Sequence, residues 1–72
     1  MKMKLSVEGM SCMHCVMHVQ DALKEVEGVT EAKADLDGKF AVIQLDREVP
    51  GELLKKAVED AGYEVTHIEK VG

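Results

Sequence analysis

Met3, Leu5 and Val7 alternate with Lys4, Ser6 and Glu8, and Gly9 ends the run. A period of two predicts a strand with one buried face. Val16, Val19, Leu23 and Val26 then recur at helical spacing, within about 80° of one another at about 100° per residue. With Gly28 at a helix-stop position, they predict a helix over residues 13–26. Ala32, Ala34 and Leu36 alternate with Lys33, Asp35 and Asp37 and predict a second strand. Asp37-Gly38 predicts a hairpin turn into a third strand over residues 40–45. That strand carries two apolar sets, Phe40/Val42 and Ala41/Ile43/Leu45. The second set is read as inward, because Leu45 extends it to a three-residue stripe and leaves Gln44 outside.

Pro50 suits the first turn of a helix, where its missing N–H costs nothing. Leu54, Ala57, Val58 and Ala61 form the next apolar stripe, with Leu53 at its edge and Gly62 as the stop. Residues 64–68 read as a final strand with Val65 inward. No linker, repeat or low-complexity stretch interrupts this order, and residues 1–72 read as one domain. The order β-α-β-β-α-β predicts an α+β, ferredoxin-like sandwich: a four-stranded antiparallel sheet with two helices on one face.

Composition narrows the picture. Tyr63 and Phe40 are the only aromatics, so the core must be aliphatic. A formal net charge of -5 argues against a nucleic-acid surface, which needs clustered Lys and Arg. The longest unbroken apolar run, Phe40 to Ile43, is too short to span a bilayer. Ser6, Glu8 and Gly9 interrupt any signal-peptide core, so the expected compartment is the cytoplasm, where thiols stay reduced.

The chain's only two cysteines lie in Gly9-Met10-Ser11-Cys12-Met13-His14-Cys15, between the first strand and the first helix. Cys12 is expected in the loop and Cys15 in the first helical turn. Unpaired N–H groups and the positive end of the helix dipole there favour thiolate over thiol. Two thiolates with little else select Cu(I). Structural Zn(II) wants four ligands, so a zinc reading must recruit His, Asp or Glu from elsewhere. A thiol–disulfide exchanger also starts a helix with Cys-x-x-Cys. Such enzymes usually set a proline opposite the pair before a strand, whereas Pro50 precedes a helix.

This motif on a β-α-β-β-α-β frame resembles the heavy-metal-associated domain family, which includes copper chaperones and N-terminal domains of copper-transporting P-type ATPases. The resemblance covers essentially the whole chain. It extends to Val16 and Val19 and to Asp60-Ala61-Gly62-Tyr63, which are similar to the bacterial copper-chaperone pattern. It implies that Cys12 and Cys15 hold Cu(I), that Met10 is a buried support of the loop despite its thioether, and that Tyr63 sits beside the metal. Ser11, where zinc- and cadmium-type members often carry an acid, favours copper.

Other residues have weaker claims. His14, between the two cysteines, is a candidate to tune the thiolates or to act as a third ligand in an oligomer. With His18 it forms a spaced pair able to chelate a metal, or simply two solvated histidines. Met13 and Met17 offer a soft contact surface for a partner, or tolerated exposure. Glu59, Asp60 and Glu64 read as a solvated helix end or an acidic docking patch, and His67 as structural or exposed. The expected function is a non-enzymatic Cu(I) metallochaperone. Its expected partner is a copper-transporting P-type ATPase or a copper-responsive regulator, and a metal-bridged homodimer is a further possibility. The alternatives are a metal-binding domain excised from such an ATPase and a dithiol oxidoreductase.

Overall fold

A computed structural model describes residues 1–71. The elements run β1 (Lys2–Glu8), α1 (Met13–Lys24), β2 (Val29–Asp35), β3 (Phe40–Leu45), α2 (Gly51–Asp60) and β4 (Glu64–Lys70). The strands form one antiparallel sheet in the order β2-β3-β1-β4. This is the ferredoxin-like arrangement that the hydrophobic pattern predicts.

The core lies between the sheet and the helices. Leu5, Val7, Ala41 and Ile43 from the central strands are buried with Val16, Val19 and Leu23 of α1 and Leu54 and Val58 of α2. The inward choice of Ala41, Ile43 and Leu45 on β3 is the one the structure adopts. Leu53 is half exposed, and Ala57 and Ala61 are only partly buried, so the second stripe narrows to Leu54 and Val58. Val49, ahead of α2, is buried and was not expected from the pattern.

Three boundaries differ from the sequence reading, each for a physical reason. Helix α1 stops at Lys24 because the chain tightens there: the Val26 N–H donates to the Leu23 carbonyl at 3.1 Å. Val26 still packs on the core, so apolar spacing overruns the helix by two residues. Strand β2 begins at Val29, but an irregularity between Val29 and Glu31 breaks the alternation, which becomes visible only at Ala32. Strand β4 runs on to Lys70, with a register shift opposite Ser6/Val7 that separates inward Val65 from Ile68.

The β2–β3 connection is the predicted hairpin, with residues 36–39 in the turn. Lys39, not Gly38, takes the positive φ of 57°. Gly38 serves by its small size, since a Cβ there would run into the Phe40 ring. Its N–H donates to Asp35 Oδ1 at 3.1 Å. The outer edge of β2 is partly closed by α1, where Gln20 Oε1 accepts the Ala34 N–H at 3.0 Å.

Candidate metal centre

Strand β1 delivers the chain to Gly9, whose φ of +101° is a conformation that L side chains rarely adopt. The turn sends Met10 inward, where it is buried with the core. Ser11 and Cys12 stay exposed. Cys12 is the N-cap of α1, in extended conformation, and its side chain makes no capping hydrogen bond. Its carbonyl opens the helix by accepting the Val16 N–H at 3.2 Å. The first helical N–H groups lack intrahelical partners by construction, and no acid occupies the first turn to offset their positive potential. Cys15, in that turn, is half buried against the core.

Both cysteines are free. Their sulfurs lie 3.7 Å apart, and the Ser11 Oγ is 3.8 Å from the Cys15 sulfur. With a metal–thiolate bond of about 2.3 Å, a 3.7 Å separation is a bent bite near the tetrahedral angle, and a straight S–metal–S unit requires about 4.6 Å. Exposure of Cys12 lets that sulfur swing outward without disturbing packing.

Tyr63 completes the site from the far end of the chain, and a helix cap places it there. Gly62 has φ of +98°. Its N–H donates to the Glu59 carbonyl at 2.9 Å, and the Tyr63 N–H to the Val58 carbonyl at 3.2 Å. This paired closure is the Schellman motif, which needs a left-handed residue and fixes the residue after it. The fixed residue is Tyr63, whose ring packs over Gly9; a Cβ on Gly9 would lie 3.4 Å from the ring.

The surroundings acidify one thiol. Hydrogen bonding from the Tyr63 hydroxyl, then from the Ser11 backbone and side chain, lowers the Cys15 pKa from 9.0 to about 6. Partial burial opposes them, and the Cys12 side chain adds a smaller lowering. The same contact with Cys15 is the largest reason that the Tyr63 phenol is raised above its usual value. Cys15 is therefore largely thiolate at neutral pH, the form that binds metal.

The structure thus gathers Ser11, Cys12, Cys15 and Tyr63, with Met10 packed beneath. His14 and His18 are exposed, as are Met13 and Met17 at 63% and 53%. A groove of about 440 Å³ opens beside Met13, lined by Val16, Ala34, Leu36 and Phe40 among others. His67 lies in β4 near Glu69 and takes no part in the site. Among the described residues, no three His, Cys, Asp or Glu side chains come together as a metal cage. No helix is long and apolar enough to cross a membrane. The residues alone gave no direct sign that Tyr63 touches Cys15. The usable signal is Gly62, which marks a helix cap and so fixes the direction of its successor.

Comparison with known proteins agrees with this geometry. The copper chaperone CopZ of Staphylococcus aureus (strain bovine RF122 / ET3-1) is 45% identical over 62 residues, covering 85% of this chain and 91% of that protein. A solved CopZ metallochaperone superposes with a TM-score of 0.86 at 40% identity, covering 92% of this chain and all of that one. A copper binding domain from HMA7, a P-type ATPase, superposes with a TM-score of 0.82 at 35% identity, covering 99% of this chain and 93% of that one. The model of the heavy-metal-associated domain matches residues 4–64, and the chain belongs to that family.

Proposed function

We propose that this protein is a Cu(I) metallochaperone, with residues 1–72 acting as one carrier domain in the cytoplasm. One observation carries the reading most directly: two free thiols 3.7 Å apart at a helix start, with no third His, Cys, Asp or Glu side chain gathered with them among the described residues. Two thiolates and an open approach suit a soft monovalent ion, whereas structural zinc wants a closed set of four. Copper is named for the similar CopZ proteins, which supports the choice of metal.

In this reading Cys12 and Cys15 are the ligands. Cys15, already ionised, takes the ion first; Cys12 gives up its proton to solvent and closes the pair. Met10 holds the loop from below, Ser11 and Tyr63 stabilise the Cys15 thiolate, and His14 remains at the solvent side. Release follows by exchange. A thiolate of the partner attacks the copper to give a three-coordinate bridge, after which Cys12 and then Cys15 depart. No free ion forms and no bond to carbon changes, so the protein is a carrier and not an enzyme.

The partner proposed is a copper-transporting P-type ATPase, since the fold and site are similar to a copper binding domain of such an ATPase. Met13 and Met17 provide the soft surface that meets it. A copper-responsive regulator and a thiolate-bridged homodimer would use the same two sulfurs, exposed Cys12 and half-buried Cys15. The same likeness supports a second reading, in which this sequence is itself a metal-binding domain of an ATPase.

The test is competitive titration of the reduced protein with Cu(I) and with Zn(II) against chelators of known affinity. Tight uptake of one Cu(I) per site, much weaker Zn(II), and loss of Cu(I) in Cys12→Ser and Cys15→Ser support the assignment. Full Cu(I) affinity in both serine variants refutes it. Disulfide-reductase turnover without copper would instead favour a dithiol oxidoreductase.

A further inference from the structure

Helix α1 carries a second group of ligands that the thiolate site does not use. His14 and His18 are four residues apart inside the helix, and both are exposed. On a wheel of about 100° per residue they lie about 40° from each other, one turn apart on a single face. Residues at this spacing have Cβ atoms about 5–6 Å apart, close enough for two imidazoles to chelate one ion. Among the described residues, neither ring takes part in a hydrogen bond or ion pair, so no internal contact has to be broken. Asp21, three residues beyond His18 and exposed on the same stripe, adds negative charge beside the pair.

We propose that His14 and His18 form a site for a borderline divalent cation, of the Zn(II), Ni(II) or Cu(II) class, separate from the thiolate pair. Imidazole nitrogens suit these ions as thiolates suit Cu(I). Two side-chain donors on a rigid helix leave the remaining positions to water. The site is therefore open and labile, in keeping with the absence of a three-residue cage among the described residues. Helix α1 then presents a soft site at its first turn and a borderline site along its solvent face.

The test removes the thiols so that it does not depend on the Cu(I) reading. The full chain carrying Cys12→Ser and Cys15→Ser is titrated with Zn(II) at mildly alkaline pH, with calorimetry for stoichiometry and NMR of the imidazole rings for location. Both cysteines lie outside the buried set, so this chain keeps its core. One Zn(II) per chain is expected, with the His14 and His18 ring signals shifting together while those of His67 stay. Adding His18→Ala should weaken binding at least about tenfold, the low end of what even an outer partner of a ligand contributes. A Lys24→His/His18→Ala chain keeps three histidines, with the new one at an exposed position of α1 ten residues from His14 and so out of chelating reach, and it should bind as weakly as the simple His18→Ala chain. The proposal is overturned by no Zn(II) uptake, by unchanged affinity in either altered chain, or by one ion shared between two chains.

Discussion

The Tyr63 hydroxyl is the largest single influence on the Cys15 thiol, and it favours the ionised sulfur. A thiol whose folded-state pKa is depressed contributes stability that is fully present above its unfolded value of 9.0 and is lost as pH falls through about 6. The reduced, metal-free protein should therefore gain thermal stability over Cys15→Ser as pH rises from about 6 to 9. Tyr63→Phe should move Cys15 ionisation, followed by thiolate absorbance, upward toward the ordinary value and shrink that gain. An unmoved titration in Tyr63→Phe would remove Tyr63 from the account.

Gly62→Ala tests the cap that aims Tyr63. No atom lies within 4 Å of the added Cβ, so the cost is conformational alone. An L side chain with left-handed φ loses about 1–2 kcal/mol. Denaturant unfolding should show that loss, and the Cys15 titration should shift upward in the same variant. A stability loss with an unchanged titration would separate the cap from the site.

Leu23→Ala should be severe. Leu23 is fully buried, and truncations of this kind cost about 2–5 kcal/mol. A chain of 72 residues has about 4–11 kcal/mol in all. The variant should lose a large share of that margin, read as a much lower denaturation midpoint by circular dichroism, although Leu23 lies at the opposite end of α1 from the cysteines.

Gln20→Ala should cost about 0.5–1.5 kcal/mol, the net worth of an internal hydrogen bond. It also frees the Ala34 N–H on the outer edge of β2. Hydrogen exchange at Ala34 should quicken selectively. The variant should also self-associate more at high concentration, because an unpaired strand edge is a template for pairing.

Asp60→Lys should stabilise. Helix α2 ends with Glu59 and Asp60 and has no basic residue in its last turn, the wrong sign for the negative end of a helix. A gain of about 0.3–1 kcal/mol at low ionic strength is expected, fading as salt is added. An equal gain at high salt would point to another cause.

The sequence reading did best where one period ran unbroken. β1, the Val16-Val19-Leu23 face and the inward side of β3 all follow from simple spacing. It fell short where the backbone departs from that spacing: at the start of β2, at the shifted register of β4, and at the early end of α1. In the hairpin, position was legible but mechanism was not, since Gly38 makes room for a ring while Lys39 bends the chain. The cysteine pair was visible from spacing alone. The influence of Tyr63 on Cys15 joins residues remote in sequence, and no local period encodes it; the likeness to a family pointed to Tyr63, and Gly62 marks the cap that directs it.

Strands β1 and β4 are neighbours in the sheet, and this brings the Gly9–Cys15 loop against the turn at Tyr63. The two cysteines precede Tyr63 in the chain and so leave the ribosome before it. A nascent chain thus holds both sulfurs before it holds the group that most acidifies one of them. Its Cys15 lacks that largest acidifying influence until α2 is capped and β4 has docked. The acidity of that thiol is therefore a property of the assembled fold, which the cysteine loop by itself does not possess in full.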